Sequence, residues 1–251
     1  MSTTATAVLK RTQLSTAERS SYHQQGYVIL RDMIRAEILA AWRNETLAVI
    51  ASRNMPDSFL AQTSEYLAGS VIDQVVNGPE LAAVAQQVLK DEPQLYLPFS
   101  AVKGPHQGAF GFHQDNNYTY HDGASCNAWC ALVPMTVANG CLRVVPGSNK
   151  GGTLAAVASE HAGHREVASE PATWDDIVMN AGDICLFDRL TVHGSGPNTT
   201  DAPRIGYAVQ YTGANTRWRD PDTGTMHRHA DRTRFSVGPV NALSTTAQLG
   251  E

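Results

Sequence analysis

The stretch Asn127-Ala128-Trp129-Cys130-Ala131-Leu132-Val133, then Pro134-Met135-Thr136-Val137-Ala138-Asn139-Gly140, then Cys141-Leu142-Arg143-Val144-Val145 and Pro146-Gly147, decides the fold class. Two short apolar runs are parted by a proline and an Asn-Gly pair, and the second run stops at Pro-Gly. Consecutive strands joined by tight turns look like this, so the turns at Asn139-Gly140 and Pro146-Gly147 are assigned to structure and not to catalysis. Working outward, the same rhythm marks strands at 95–103, 109–113, 183–188 and 204–211, alongside 127–133 and 141–145. Short strands broken by Gly, Pro, Asn and Asp predict a mainly β chain, a sandwich or barrel of the jelly-roll type.

Upstream of residue 95 the pattern is helical. Ser15 and Glu18 have capping-box spacing, and Gly26 ends that short helix before the strand-like run Tyr27-Val28-Ile29-Leu30. Ile34, Ile38 and Trp42 recur at four-residue steps. Leu81, Val84, Val88 and Leu89 follow an i, i+3, i+7, i+8 pattern after Pro79. Amphipathic helices are therefore expected to pack on the β core. Residues 1–14 are expected to be disordered. The mixed-polarity stretch 147–180 is long for a loop and is expected to be an insertion or lid.

At 251 residues the chain suits one domain with a substantial core. Its net charge of -5, with both signs scattered, gives no footprint for nucleic acid or an anionic membrane, which leaves a small molecule as the expected partner. No stretch approaches the roughly 20 apolar residues of a membrane span, and the first residues lack the apolar core of a signal peptide. The expected location is the cytoplasm. Cys126, Cys130, Cys141 and Cys185 sit in apolar segments without Cys-x-x-Cys spacing, so they read as buried reduced thiols.

His113-Gln114-Asp115 closes one strand, and alternation across a strand projects His113 and Asp115 to the same side. A third imidazole, His193, follows the apolar run Ile184-Cys185-Leu186-Phe187 and completes a two-His-one-carboxylate face that leaves three positions open on Fe(II). Arg204, eleven residues further on, heads a strand whose face it shares with Gly206 and Ala208, small residues that leave room for a ligand. Its planar guanidinium matches a carboxylate bidentately and stays charged when partly buried.

Together, Phe112-His113-Gln114-Asp115, the run from Asn139 to Ser148, Ala181-Gly182-Asp183, and His193-Gly194-Ser195-Gly196-Pro197-Asn198 with Arg204 resemble, in order, the phytanoyl-CoA dioxygenase family. The resemblance covers roughly residues 20 to 215 and implies a double-stranded β-helix, a cupin-like jelly roll wrapped by N-terminal helices. It makes His113, Asp115 and His193 the ligands of Fe(II), and Arg204 the partner of the distal carboxylate of the co-substrate 2-oxoglutarate. Ser195 looks like a hydroxyl partner of that carboxylate, Trp129 like an aromatic beside it, and Lys103 like a basic residue of the same pocket.

The implied reaction consumes O2, releases succinate and CO2 and oxidises an unactivated C–H bond of a small-molecule metabolite. Hydroxylation is the default, and epimerisation, desaturation or ring closure share its chemistry. Family halogenases replace the carboxylate ligand with a small residue, so Asp115 argues against halogenation. Two other readings keep the barrel: a non-catalytic jelly-roll binding module, and a cupin-type metalloenzyme without 2-oxoglutarate, against which Arg204 and Ser195 count. Asn116, Tyr118, Tyr120 and His121 are candidates to face substrate, and Arg143, Arg217 and Arg219 to meet an anionic group on it.

Overall fold

The computed structural model describes residues 7–52, 60–160 and 163–228. Along the chain come α1 (Thr16–Gln25), β1 (Tyr27–Leu30), α2 (Ala36–Ser52), β2 (Ala61–Thr63), α3 (Val71–Asn77) and α4 (Pro79–Leu89), then β3 (Pro93–Lys103), β4 (Phe110–His113), β5 (His121–Asp122) and β6 (Ser125–Ala131). They are followed by β7 (Leu142–Val144), β8 (Ala156–Ala158), β9 (Arg165–Val167), β10 (Asp175–Ile177), β11 (Ile184–Asp188), β12 (His193–Ser195), β13 (Arg204–Gly213), β14 (Arg217–Arg219) and β15 (Met226–Arg228). A six-stranded sheet, β1-β11-β6-β13-β3-β2, faces a four-stranded sheet, β10-β7-β12-β4, with antiparallel pairing throughout both. This is the expected jelly roll.

The large sheet is buried on both faces, and side-chain alternation sorts its residues. On β6 and β13, Cys126, Ala128, Cys130, Ile205, Tyr207, Val209 and Tyr211 join the cluster under the helices. Trp129, Ala131 and Ala208 of the same strands join the cluster between the sheets. The helices cover the outer face: α4 packs on β3, β6 and β13, and the Trp42 ring of α2 lies 5.2 Å from that of Tyr207. The capping box of Ser15 and Glu18 forms, and Gly26 takes the left-handed φ of 79° at the end of α1. A Cβ there would lie 2.5 Å from the Thr191 hydroxyl, so that turn needs glycine.

Three expectations change. Helix α2 starts at Ala36, and Ile34 precedes it in a bridge to Leu9. Residues 7–14 are ordered and not loose: Val8, Leu9 and Leu14 are buried, and the Glu80 carboxylate accepts the Val8 and Leu9 N–H groups at 2.8 and 2.7 Å. Residues 1–6, the rest of the expected disordered stretch, lie outside the described residues. The stretch 147–180 is not a plain insertion, because β10 is an edge strand of the small sheet and β8 and β9 form a hairpin packed on β4. Glu80→Ala should leave two partly buried N–H groups unsatisfied and lower the unfolding free energy by about 1–3 kcal/mol. An unchanged urea midpoint would show that the anchor carries no weight.

The four cysteines are free and buried, as expected. Among the described residues no helix is long and apolar enough to cross a membrane.

Candidate active site

His113 ends β4, His193 opens β12, and the two are cross-strand partners with ring centroids 4.2 Å apart. Asp115 arrives differently from the expectation. The strand stops at His113, and Asp115 lies in a 3-10 turn, Asp115–Asn117, entered through Gln114. The Gln114 amide donates to Gly152 and Leu190 carbonyls and accepts the Leu154 N–H, so this turn, and not strand alternation, sets the carboxylate's place. Ligand-capable atoms of His113, Asp115 and His193 lie within 4.8 Å of one another.

Each imidazole has a fixed tautomer. Nδ1 of His113 lies 2.9 Å from the Gly111 carbonyl and Nδ1 of His193 2.9 Å from that of Thr191. A carbonyl only accepts, so Nδ1 carries the proton and Nε2 keeps a lone pair for a metal. Burial, with His193 alongside, holds His113 well below the ordinary imidazole range, hence neutral. Asp115 Oδ2 accepts from Gln210 Nε2 at 3.1 Å and Asn127 Nδ2 at 3.4 Å, and its Oδ1 stands 3.7 Å from His193 Nε2. Two imidazole nitrogens and one carboxylate oxygen are the donor set that fits non-haem Fe(II).

Beside this set lie two buried basic side chains, Arg204 and Lys103. Arg204, 1% exposed, heads β13, and among the described residues its Nε has no hydrogen-bond partner and no carboxylate pairs with it. Its guanidinium sits 5.1 Å over the Trp129 ring, and burial lowers its pKa to about 10. Lys103, its cross-strand partner, is fully buried and donates to Ser195 Oγ at 2.8 Å and to the Gly196 carbonyl. Burial first, then the charges of Arg204 and Arg143, push the Lys103 ammonium down to about 7. Two buried basic groups that pair with no carboxylate among the described residues are costly to hold charged, and an entering anion would offset that cost.

A cavity of about 880 Å³ opens over both features, walled by Tyr96, Phe99, Phe110 and Tyr118 with Gln62 and Glu65 among its polar groups. The structure brings His113, Asp115, His193, Arg204, Ser195 and Trp129 to its lining, with Lys103 just behind Ser195. Gly206 makes room for the Trp129 indole and not directly for a ligand, since a Cβ there would lie 2.5 Å from that ring.

Of the substrate candidates only Tyr118 lines the cavity. Asn116 is spent on the His121 and Thr153 contacts, His121 packs against Tyr96, and Tyr120 lies under Arg219. Arg143 pairs with Asp176, and neither Arg217 nor Arg219 reaches the lining. Sequence reading missed Gln210, Asn127, Arg189 and His164. Gln210 and Asn127 were within reach, because they share strand parity with Arg204 and Trp129, respectively. Arg189 and His164 carry no local signal.

Fold and site together define a jelly-roll oxygenase of the two-His-one-carboxylate class. The sequence model of the phytanoyl-CoA dioxygenase (PhyH) family matches residues 22–206, and the chain belongs to that family of Fe(II)- and 2-oxoglutarate-dependent oxygenases. It is 27% identical over 252 residues to an ectoine dioxygenase of Halomonas elongata, covering 86% of this chain and 75% of that protein. Among solved structures it is similar to the epimerase SnoN in complex with Fe3+, alpha ketoglutarate and nogalamycin RO (TM-score 0.69, 21% identity, 83% of this chain and 91% of that one). EctD from S. alaskensis with 2-oxoglutarate and 5-hydroxyectoine is also similar (TM-score 0.66, 19% identity, 86% and 82%).

Proposed function

We propose that this chain hydroxylates an unactivated C–H bond of a small-molecule metabolite, using Fe(II), 2-oxoglutarate and O2 and releasing succinate and CO2. The observation that carries this reading is the meeting, in one cavity, of the His113, Asp115 and His193 donor set with the buried Arg204, with Lys103 behind Ser195 of the lining. In this reading the three ligands hold iron, Arg204 pairs with the far carboxylate of 2-oxoglutarate, Ser195 and Lys103 flank that carboxylate, and Trp129 walls its pocket. Bound there, iron and co-substrate supply the oxidant for C–H cleavage. The protein binds, aims the substrate and keeps out water, and its aromatic cavity walls suit the last task.

The whole chain acts as one catalytic domain in this reading, and its free thiols suit the reducing cytoplasm. The test is a metabolite-extract screen for substrate-stimulated succinate release, with mass spectrometry of the consumed compound. Hydroxylation adds one oxygen atom, desaturation or ring closure removes two hydrogens, and epimerisation leaves the mass unchanged. The similarity to the SnoN epimerase and to the SnoK carbocyclase, both from nogalamycin biosynthesis, makes all three products worth reading. Succinate release that needs neither iron nor 2-oxoglutarate would contradict the proposal.

Lys103 gives the site a pH dependence. With a pKa near 7 in the ligand-free protein, its ammonium is charged below that pH and neutral above it. A dianionic ligand favours the charged form, so its entry raises this pKa. Affinity for 2-oxoglutarate should be full below about pH 7 and fall as pH rises, with binding near pH 8 taking up a proton. Calorimetry in buffers of different ionisation enthalpy reads that uptake, and Lys103→Met should abolish it; equal uptake in the variant would assign the proton elsewhere.

The hairpin of β8 and β9 serves as a lid in this reading. The Tyr118 hydroxyl and His164 Nδ1 join it to the metal-bearing turn, and His164 packs on Phe110 with ring centroids 3.8 Å apart. Iron, 2-oxoglutarate and substrate should slow proteolytic cleavage within 147–180. Equal rates with and without them would leave the hairpin a fixed wall.

A further inference from the structure

Arg189 lines the cavity but has so far been given no role, although it is 5% exposed and, among the described residues, no carboxylate lies within ion-pair distance of it. Its Nε donates to Asn116 Oδ1 at 3.2 Å and its Nη1 to Gln210 Oε1 at 3.3 Å. Its Nη2 donates to the carbonyls of Asp115 and Thr119 at 2.8 and 2.9 Å. One cation thus ties the metal-bearing turn to β13, and it lies 5.0 Å over the Tyr96 ring.

That arrangement forces the orientation of Gln210. A guanidinium can only donate, and an ionised carboxylate can only accept. Gln210 stands between the two, so its Oε1 must face Arg189 and its Nε2 must face Asp115 Oδ2. The flipped amide would set donor against donor and oxygen against oxygen. Asn127, the cross-strand partner of Gln210, donates to the same Oδ2. Oδ2 therefore takes two N–H donors, while Oδ1 takes none among the described residues and faces the His193 ring.

We propose that Arg189 and Gln210 are positioning residues that make Asp115 a one-oxygen ligand: Arg189 orients the Gln210 amide, which with Asn127 occupies Oδ2 and leaves Oδ1 alone for the metal. The proposal rests on reading His113, Asp115 and His193 as the iron ligands. Carboxylates bind metals through one oxygen or through both. A carboxylate released from these donors can turn both oxygens inward and fill a position that the co-substrates need.

The test compares the parent chain with Gln210→Met and Arg189→Lys, the lysine keeping the charge but unable to reach Gln210 and two turn carbonyls at once. Each protein is loaded anaerobically with Fe(II) and 2-oxoglutarate, its charge-transfer band is recorded, and nitric oxide is added as a stand-in for O2 and read by electron paramagnetic resonance. Both variants should fold and take up iron, with the band shifted and the nitrosyl signal per iron lowered by about 10-fold, the scale on which outer partners tune metal sites. Bands and nitrosyl signals equal to the parent's in the folded variants would overturn the proposal. Should Gln210→Met not fold, Gln210→Asn, which keeps the amide but is one methylene too short to bridge Arg189 and Asp115, gives the same two outcomes. A parent without any band would instead sink the iron and 2-oxoglutarate reading itself.

Discussion

His193→Ala should reduce 2-oxoglutarate-dependent succinate formation to background. His193 supplies one of the two imidazole nitrogens of the donor set, and its Nδ1 lies 2.9 Å from the Thr191 carbonyl. Only His113 and Asp115 would remain, and the face that presents three open positions no longer exists. The ring also packs against Phe187, with centroids 4.5 Å apart, so truncation opens a small void and folding must be checked by circular dichroism. His193→Gln fills that space and should be equally inactive. Near-parent turnover in either folded variant would remove His193 from the ligand set.

The second large effect belongs to Arg204→Met, which should weaken 2-oxoglutarate binding selectively and leave Fe(II) affinity unchanged. Arg204 is buried against Trp129 and, among the described residues, its Nε has no hydrogen-bond partner, so in the proposed reading its charge pairs with the co-substrate's far carboxylate. Losing one partner of a desolvated charge pair costs about 2 to 5 kcal/mol. At about 1.4 kcal/mol per tenfold, that is roughly 30-fold or more in apparent affinity. Methionine keeps most of the side-chain bulk over the indole, which limits the change to charge and hydrogen bonding. Calorimetric titration of the iron-loaded variant measures it. An unchanged 2-oxoglutarate affinity would transfer the anchor to Lys103, and joint loss of metal and co-substrate binding would indicate misfolding.

The strands at 127–133 and 204–211 were legible because they are buried on both faces, which leaves continuous apolar runs bounded by turn residues. Their register then carries the site. Asn127 and Trp129 on β6 lie opposite Gln210 and Ala208 on β13, so one strand pair delivers the Arg204 end of the pocket and the Asp115 end together. Strand β12 was not legible: His193-Gly194-Ser195 has no strand-like composition, and Gly194 is there because a Cβ would lie 2.7 Å from the Phe110 carbonyl. The candidate ligand His193 was singled out through its motif and not through its strand.

Other misses have one physical cause, long-range partners. The order of residues 7–14 depends on a carboxylate more than seventy positions away, and Arg189 acts on a turn equally distant in sequence. No local period or propensity encodes such pairs. The stretch 147–180 mixes an edge strand, a hairpin and a 3-10 turn at Ser148–Gly151, which together read in one dimension as a long mixed-polarity insertion or lid.

The central claim is that one cavity holds iron on His113, Asp115 and His193 and 2-oxoglutarate against Arg204. Anaerobic titration of the purified protein with Fe(II) and then 2-oxoglutarate tests it most directly. The account predicts a visible charge-transfer band that appears only with both present and saturates at one equivalent of each. A colourless mixture, or a band that survives intact in His193→Ala, would contradict it.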